Sequence, residues 1–173
     1  VALDNSSEAV STAGTGSITL SYTCTGTQRA LFVGGGNKSA LNTFTSCTYN
    51  GTAMTEFWDI ALGGNAQLGG YGVAVEAIGT GPLDIVCTIA GGSGNLGITA
   101  VSFTGVNQTT PFSDQGTATG SVSPATRTTP NVTADDYVVD ALVIQQSGTI
   151  TASGTGQTER QRVDLADANE LLS

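Results

Sequence analysis

"SITLSYTC", residues 17–24, places Ile18, Leu20, Tyr22 and Cys24 on one side of an extended chain. Period-two alternation over eight residues predicts a strand with one face in a core. The same phase recurs in "DIVCTI", 84–89, where Ile85, Cys87 and Ile89 fall together. Between them, "TYNGTAMT", 48–55, holds the best hairpin signal, because Asn50-Gly51 can take the two positive φ values of a type I′ turn. Working outward, strand signals are expected over 17–24, 29–34, 43–50, 53–60, 71–78, 83–90, 97–104, 130–133, 136–146 and 157–164, separated by Gly, Asn, Ser and Pro clusters. About ten short strands on turn-rich spacing imply an all-β fold with little helix, an antiparallel β-sandwich of jelly-roll type.

The chain has 173 residues, the size of one domain, and such a domain buries roughly 70% of its unfolded surface. A core of that size needs no metal or organic cofactor to fold, so none is expected. Residues 165–173 read as a tail or short helix, and the sandwich is expected to lack or share its last strand. The opening at Val1, without a charged and apolar leader pattern, reads as a processed or excerpted N-terminus.

Only 19 residues are charged, whereas Gly, Ser and Thr supply 66, so the solvated faces must be covered by neutral hydroxyls and amides. Fourteen carboxylates against four Arg and one Lys give a net charge of −9, which repels phosphate backbones and acidic lipid. Nucleic-acid partners are excluded on that ground. No run reaches the length of a membrane helix, and ten scattered aromatics do not form the two belts of a transmembrane barrel, so no membrane insertion is expected.

Cys24, Cys47 and Cys87 each sit in or near an alternating run. They permit one disulfide through any of three pairings, with one thiol left over, or three small core residues and no bond at all. In "ITAVSFTGVNQTTPF", 98–112, Thr99, Val101 and Phe103 share a face, Gly105 permits a sharp turn, and Pro111 with Phe112 fastens the returning loop. Asn107, Gln108, Thr109 and Thr110 then occupy a loop tip, a position for display or an ordinary solvated turn.

The ordered phrases "SYTCTGTQRALFVGG", "TSCTYNGTAMT", "AVSFTGVNQTTPF", "DDYVVDALV" and "GTGQTERQR" resemble a widespread, largely uncharacterised family of β-sandwich domains. Its members occur in bacterial surface proteins and in virion or tail-associated proteins of phages. The resemblance covers most of residues 15–163, and its motifs are strand and turn phrases, so it implies fold and setting and carries over no catalytic residue. Members commonly continue past "GQTERQR" into another Gly-rich loop and a final strand, where this chain has "DLADANELLS".

Histidine is absent, which removes Ser–His–Asp and Cys–His nucleophiles and the usual zinc ligation. Lys38 lies in "GGGNKSA", read as a glycine-rich loop without Walker spacing. The best enzymatic candidate is a carboxylate pair: Glu76 and Asp140 interrupt apolar strand runs, and a glycosidase would place such a pair across a groove. The plain alternative is that each points outward, since Trp58, on the opposite phase from Phe57, is the only tryptophan available for sugar stacking. Asp164, Asp167 and Glu170 stand three apart, as one face of a short helix or as calcium donors, and Asp135-Asp136 precede a strand. Sequons begin at Asn5, Asn37, Asn50, Asn107 and Asn131, mostly in expected turns.

Long uncharged windows, 29 residues between Asp84 and Asp114, 20 between Glu8 and Arg29 and 18 between Asp140 and Glu159, take in the expected strands 17–24 and 97–104 and most of 83–90. Sheet edges normally carry lysine, proline or inward charge, so edges this neutral are expected to be covered by neighbours in a homo-oligomer or ordered array. The leading expectation is therefore a non-catalytic structural subunit of an extracellular or virion surface: capsid decoration, tail or filament. The alternative is a lectin-like adhesion module that binds a glycan through loop amides and Trp58.

Overall fold

A computed structural model describes residues 1–11, 16–38, 43–62, 66–91, 95–120, 132–144, 158–165 and 170–172. It is an all-β antiparallel sandwich. The strands are β1 (Ala2–Ser11), β2 (Ser17–Cys24), β3 (Ala30–Asn37), β4 (Phe44–Tyr49), β5 (Thr52–Ala53), β6 (Thr55–Leu62), β7 (Ala66–Ala74), β8 (Gly81–Ile89), β9 (Leu96–Thr104), β10 (Leu142–Ile144), β11 (Arg162–Asp164) and β12 (Glu170–Leu172). One sheet has the order β1-β9-β3-β7-β6 and the other β2-β8-β4-β5. Successive strands alternate between the sheets except at the hairpins β4–β5 and β6–β7, which is the winding of a jelly roll. The chain changes sheets at buried Met54, between β5 and β6, whose N–H donates to the Cys47 carbonyl at 2.9 Å.

The hairpin signal is realised. Asn50 and Gly51 have φ of 49° and 75°, and Tyr49 pairs with Thr52 around them. β2 also follows its sequence, with Ile18, Leu20, Tyr22 and Cys24 buried. They meet Tyr49, Ile85, Cys87 and Ile89 from their own sheet, and Leu31, Val33, Tyr71, Ile98 and Ala100 from the other.

β3 is buried at every position, and β7 and β9 nearly so. Their sheet is covered twice: by the four-stranded sheet on one side and by the C-terminal part of the chain on the other. There β10, β12 and β11 form a small separate sheet, and Val143, Val163 and Leu165 pack on Ala66 and Leu68. Ala141 and Val139 join Phe32, Val101 and Phe103.

Several expectations are corrected. The strand expected over 29–34 runs on through Gly35, Gly36 and Asn37, and Gly34–Gly36 pair with Gly70, Gly69 and Leu68 of β7, residues expected to be a turn. Glycine is needed there because side chains from both sides press on the backbone: a Cβ on Gly35 would lie 2.6 Å from Phe44 Cζ, and one on Gly34 would lie 2.7 Å from Ala141 Cβ. β7 ends at Ala74, so 75–78 is turn rather than strand. β1 was not expected; its small polar residues and a bulge between Leu3 and Asn5 break the alternation.

In the C-terminal part, the described strand residues are 142–144 within the expected 136–146 and 162–164 within the expected 157–164. Residues 132–133 are not strand, while 130, 131, 145, 146 and 157 lie outside the described residues. The tail or short helix expected over 165–173 is replaced at 170–172 by β12, which pairs with both β10 and β11. The last strand of the two main sheets is β9, so the C-terminal strands form a third layer instead of extending the sandwich.

Candidate functional site

The loops at the β2–β3 end of the sandwich gather around Arg29, which is 2% exposed. Its Nη1 donates to the carbonyls of Cys24 (3.3 Å) and Gly79 (2.6 Å), its Nη2 to the Glu76 carbonyl (3.1 Å) and its Nε to Glu76 Oε2 (3.3 Å). The Arg29 carbonyl accepts from Val75 N and Gln108 Nε2, both at 3.0 Å. The Glu76 side chain is 44% exposed, so the ion pair itself contributes about 1 kcal/mol or less. The carbonyl bonds matter more, because removing the guanidinium would orphan buried acceptors. The Arg29 side chain thus ties together the turns after β2 and after β7, and its backbone carbonyl holds the loop after β9.

The expected display loop is bolted to this clamp. Gly105, at φ 69°, turns the chain, and Val106 N donates to the Gln28 carbonyl at 2.8 Å. Asn107 Oδ1 accepts from Thr109 N (2.8 Å) and Thr110 N (3.2 Å), while Gln108 Nε2 also donates to the Val106 carbonyl (3.0 Å). Phe112 packs on Phe57 with ring centroids 4.9 Å apart. Both amides hold the loop's shape, and the side chains left at its exposed tip are the hydroxyls of Thr109 and Thr110.

Beside the clamp, the β1 bulge aims Asp4 across the corner between the sheets. Its carboxylate accepts from Thr25 N (2.8 Å), Ser102 Oγ (2.7 Å) and Thr25 Oγ1. Asn5 Nδ2 donates to the Thr23 carbonyl at 3.0 Å, and the Tyr22 hydroxyl donates to the Asn5 carbonyl at 2.6 Å. Burial pushes the Asp4 pKa up, but the hydrogen bonds from Thr25 and Ser102 and the charge of Arg29 outweigh it and hold the carboxyl below its ordinary value. Burial raises the Cys24 thiol and the Tyr22 and Tyr49 hydroxyls nearby.

Of the three cysteines, Cys47 and Cys87 are bonded to each other and Cys24 is free and buried. Cys47 and Cys87 face each other on β4 and β8 with Cα atoms 4.1 Å apart. That closeness fits a non-hydrogen-bonded pair, where opposed side chains come nearest.

Trp58 is not on the opposite phase from Phe57. A bulge between Glu56 and Trp58 puts both rings on the outer face, Phe57 over Gly72 and Trp58 over Gly70. The Trp58 ring leans on Phe32 and Phe57, centroids 6.0 and 5.9 Å away, and its Nε1 is buried, so it offers no open stacking platform.

Glu76 and Asp140 do not form the expected strand pair. Glu76 lies in the turn held by Arg29, and Asp140 is exposed on the segment before β10, outside any strand. Asp135 and Asp136 occupy a turn in which Asp136 accepts from Thr133 N and Oγ1. Asp164 and Glu170 belong to β11 and β12, not to a helix, and Asp167 lies outside the described residues. Among the described residues, no three Asp, Glu, Cys or His gather closely enough to hold a metal ion. Of the sequons, Asn37 is buried, Asn5 is engaged through both ends of its amide, Asn50 and Asn107 are exposed, and Asn131 is outside the described residues.

Arg29 and Asp4 were missed in the sequence. Arg29 is the only charge between Glu8 and Lys38, a signal that it had a specific partner; nothing in "ALDNSSE" marks Asp4 as a bulge. No protein-family model, curated protein or solved structure matches this chain.

Proposed function

We propose that the chain is a non-catalytic structural module of an extracellular or virion surface, deployed as repeated copies. The observation that carries this reading is the exposed face of the four-stranded sheet. It presents Ser17, Thr19, Ser21, Thr45 and Ser46 with the single carboxylate Asp84, directly over the Cys47–Cys87 bond. Thr88 Oγ1 shares hydrogen bonds with Thr45 Oγ1 (2.8 Å) and Ser46 Oγ (2.7 Å). A structural disulfide favours an oxidising compartment, and a face of neutral hydroxyls bonded to one another suits an exterior that must stay soluble with few charges. The functional-looking side chains support the same reading: Arg29, Asp4, Asn107 and Gln108 are all used to hold loops and corners. The resemblance to surface and virion sandwiches points to the same setting. A glycan-binding role gains less support, because Trp58 lies against Gly70 and its N–H is buried.

Imaging the native particle or surface that bears this chain tests the proposal. The expected result is a subunit repeated on a lattice; a dispersed, unassembled chain that turns over a substrate would overturn it.

A further inference from the structure

The four lateral edges of the sandwich are not alike. β1 is broken by the Asp4 bulge and carries Asp4 and Glu8; β6 is broken at Phe57 and carries Glu56 and Asp59. The β4–β5 edge combines a two-residue strand with a bulge between Phe44 and Ser46. Bulges, charges and shortness are the usual ways of keeping an edge from recruiting another strand. β2 has none of them: it pairs with β8 over eight consecutive residues without a register shift and contains no charge, proline or glycine.

The hydrogen-bond phase of β2 is fixed by three observations. Ile89 N donates to the Gly16 carbonyl at 2.9 Å, so Gly16 bonds directly to β8, and by alternation Ile18, Leu20 and Tyr22 do so as well. Pro82, which has no N–H, stands opposite Thr23, where no bond to β2 is required. The Asp84 carbonyl, opposite Ser21, turns the other way and accepts from Asn50 N at 2.8 Å. Thr19, Ser21 and Thr23 therefore direct their N–H and C=O groups outward. At Thr23 the carbonyl is taken by Asn5, and the following Thr25 N–H by Asp4. Among the described residues, nothing takes the outward groups of Thr19 and Ser21, and both side chains are exposed.

We infer that the outer edge of β2 at Thr19–Ser21 is a strand-addition site, and that its occupant is β2 of a second copy, antiparallel across a two-fold axis. This deepens, and rests on, the repeated-copy reading above. Charge selects the partner. Two chains of net charge −9 repel each other wherever their carboxylates meet, and β2 lies inside the uncharged window 9–28. Antiparallel self-pairing sets Thr19 against Thr19 or Ser21 of the neighbour, with hydroxyls beside hydroxyls and no carboxylate on either strand. The two four-stranded sheets become one continuous sheet, and a two-fold contact of this kind closes on itself.

The test uses the full chain. Thr19→Pro removes an outward N–H that the β8 ladder does not use, at an edge position that tolerates proline. It is expected to weaken association about 30-fold in sedimentation equilibrium, the loss of two symmetry-related backbone hydrogen bonds, while circular dichroism stays unchanged. Should Thr19→Pro fail to fold, Ser21→Lys places like charges across the two-fold axis and is expected to dissociate the parent assembly. The Ser21 amide is expected to exchange slowly in the parent and fast in Thr19→Pro. A parent that assembles with Ser21 exchanging fast, or is unaffected by both variants, overturns this edge and leaves the repeated-copy reading standing. A parent that is monomeric at high concentration overturns both, and slow Ser21 exchange in such a monomer would mean that the chain covers its own edge.

Discussion

β2 and β3 are both eight-residue strands of the same sandwich, yet β2 alternates between exposed and buried positions whereas β3 is buried at all eight. The four-stranded sheet meets protein on one side, so its other side is exposed and is made largely of Ser and Thr hydroxyls. The five-stranded sheet meets protein on both sides, and at its centre it makes room by omitting side chains: Gly34, Gly35, Gly69, Gly70 and Gly72 receive Ala141, Phe44, Trp58 and Phe57. One-sided burial is encoded by what alternates, two-sided burial by what is missing. The same residue, glycine, therefore means a turn at Gly51 and a packing socket at Gly70.

The sharpest way to break this comparison is to fill a socket. Gly70→Val puts a branched side chain where the Trp58 ring lies, and is expected to cost more than about 3 kcal/mol in urea unfolding or to prevent folding. A change below 1 kcal/mol would mean that the Trp58 ring is not seated there. Next in size is the bond that ties the one-sided sheet. Replacing Cys47 and Cys87 together by Ser is expected to lose about 3–4 kcal/mol, from the loop entropy of a 40-residue separation. Thiol titration of the unfolded, unreduced chain should find one free thiol of three; finding three would refute the bond.

A smaller effect separates the two edges of the five-stranded sheet. Asp4 on β1 has a lowered pKa, so its contribution is fully present above the ordinary carboxyl value of about 3.9 and is lost as pH falls through the lowered folded value. Asp59 on β6 is shifted the other way, burial raising its pKa against the hydrogen bond from Gln67, so protonation near and above that ordinary value favours the folded state. Asp4→Asn should flatten the loss of stability on acidification, and Asp59→Asn should steepen it. Parallel acid profiles for the two variants would contradict these environments. Smallest of all, Ser21→Val on the exposed face of β2 should change stability by no more than about 0.5 kcal/mol.

What was legible in the sequence follows the same division. β2, β8 and the Asn50-Gly51 hairpin were readable because one wet face forces alternation and a two-residue turn restricts its residues. The expected β3 stops short and the expected β7 begins late because their central glycines carry no face to read, and the burial that explains them depends on Phe44 and Ala141, distant in the chain. β1 was invisible for a related reason: the Asp4 bulge resets its phase, and its partner is 98 residues away at Ser102. Of the candidate site, residues 107–110 lie outside the strands, as their turn-forming residue types lead one to expect, but their attachment to Arg29 depends on the turns at 76 and 79 lying alongside.

The cross-strand bond also constrains the order in which the sheet can align and oxidise. Cys47 and Cys87 meet only when β4 and β8 are in their native register, because a slip of one residue turns one sulfur to the opposite face. The β2–β8 register puts Cys87 opposite Ile18, six positions from Cys24, or about 20 Å along the strand. Once β2 has docked, the wrong thiol is out of reach, and it is shielded in the interior besides. Oxidation therefore seals correctly aligned chains and leaves misaligned ones open to another attempt, so the quality of the product is set by strand alignment before the covalent step.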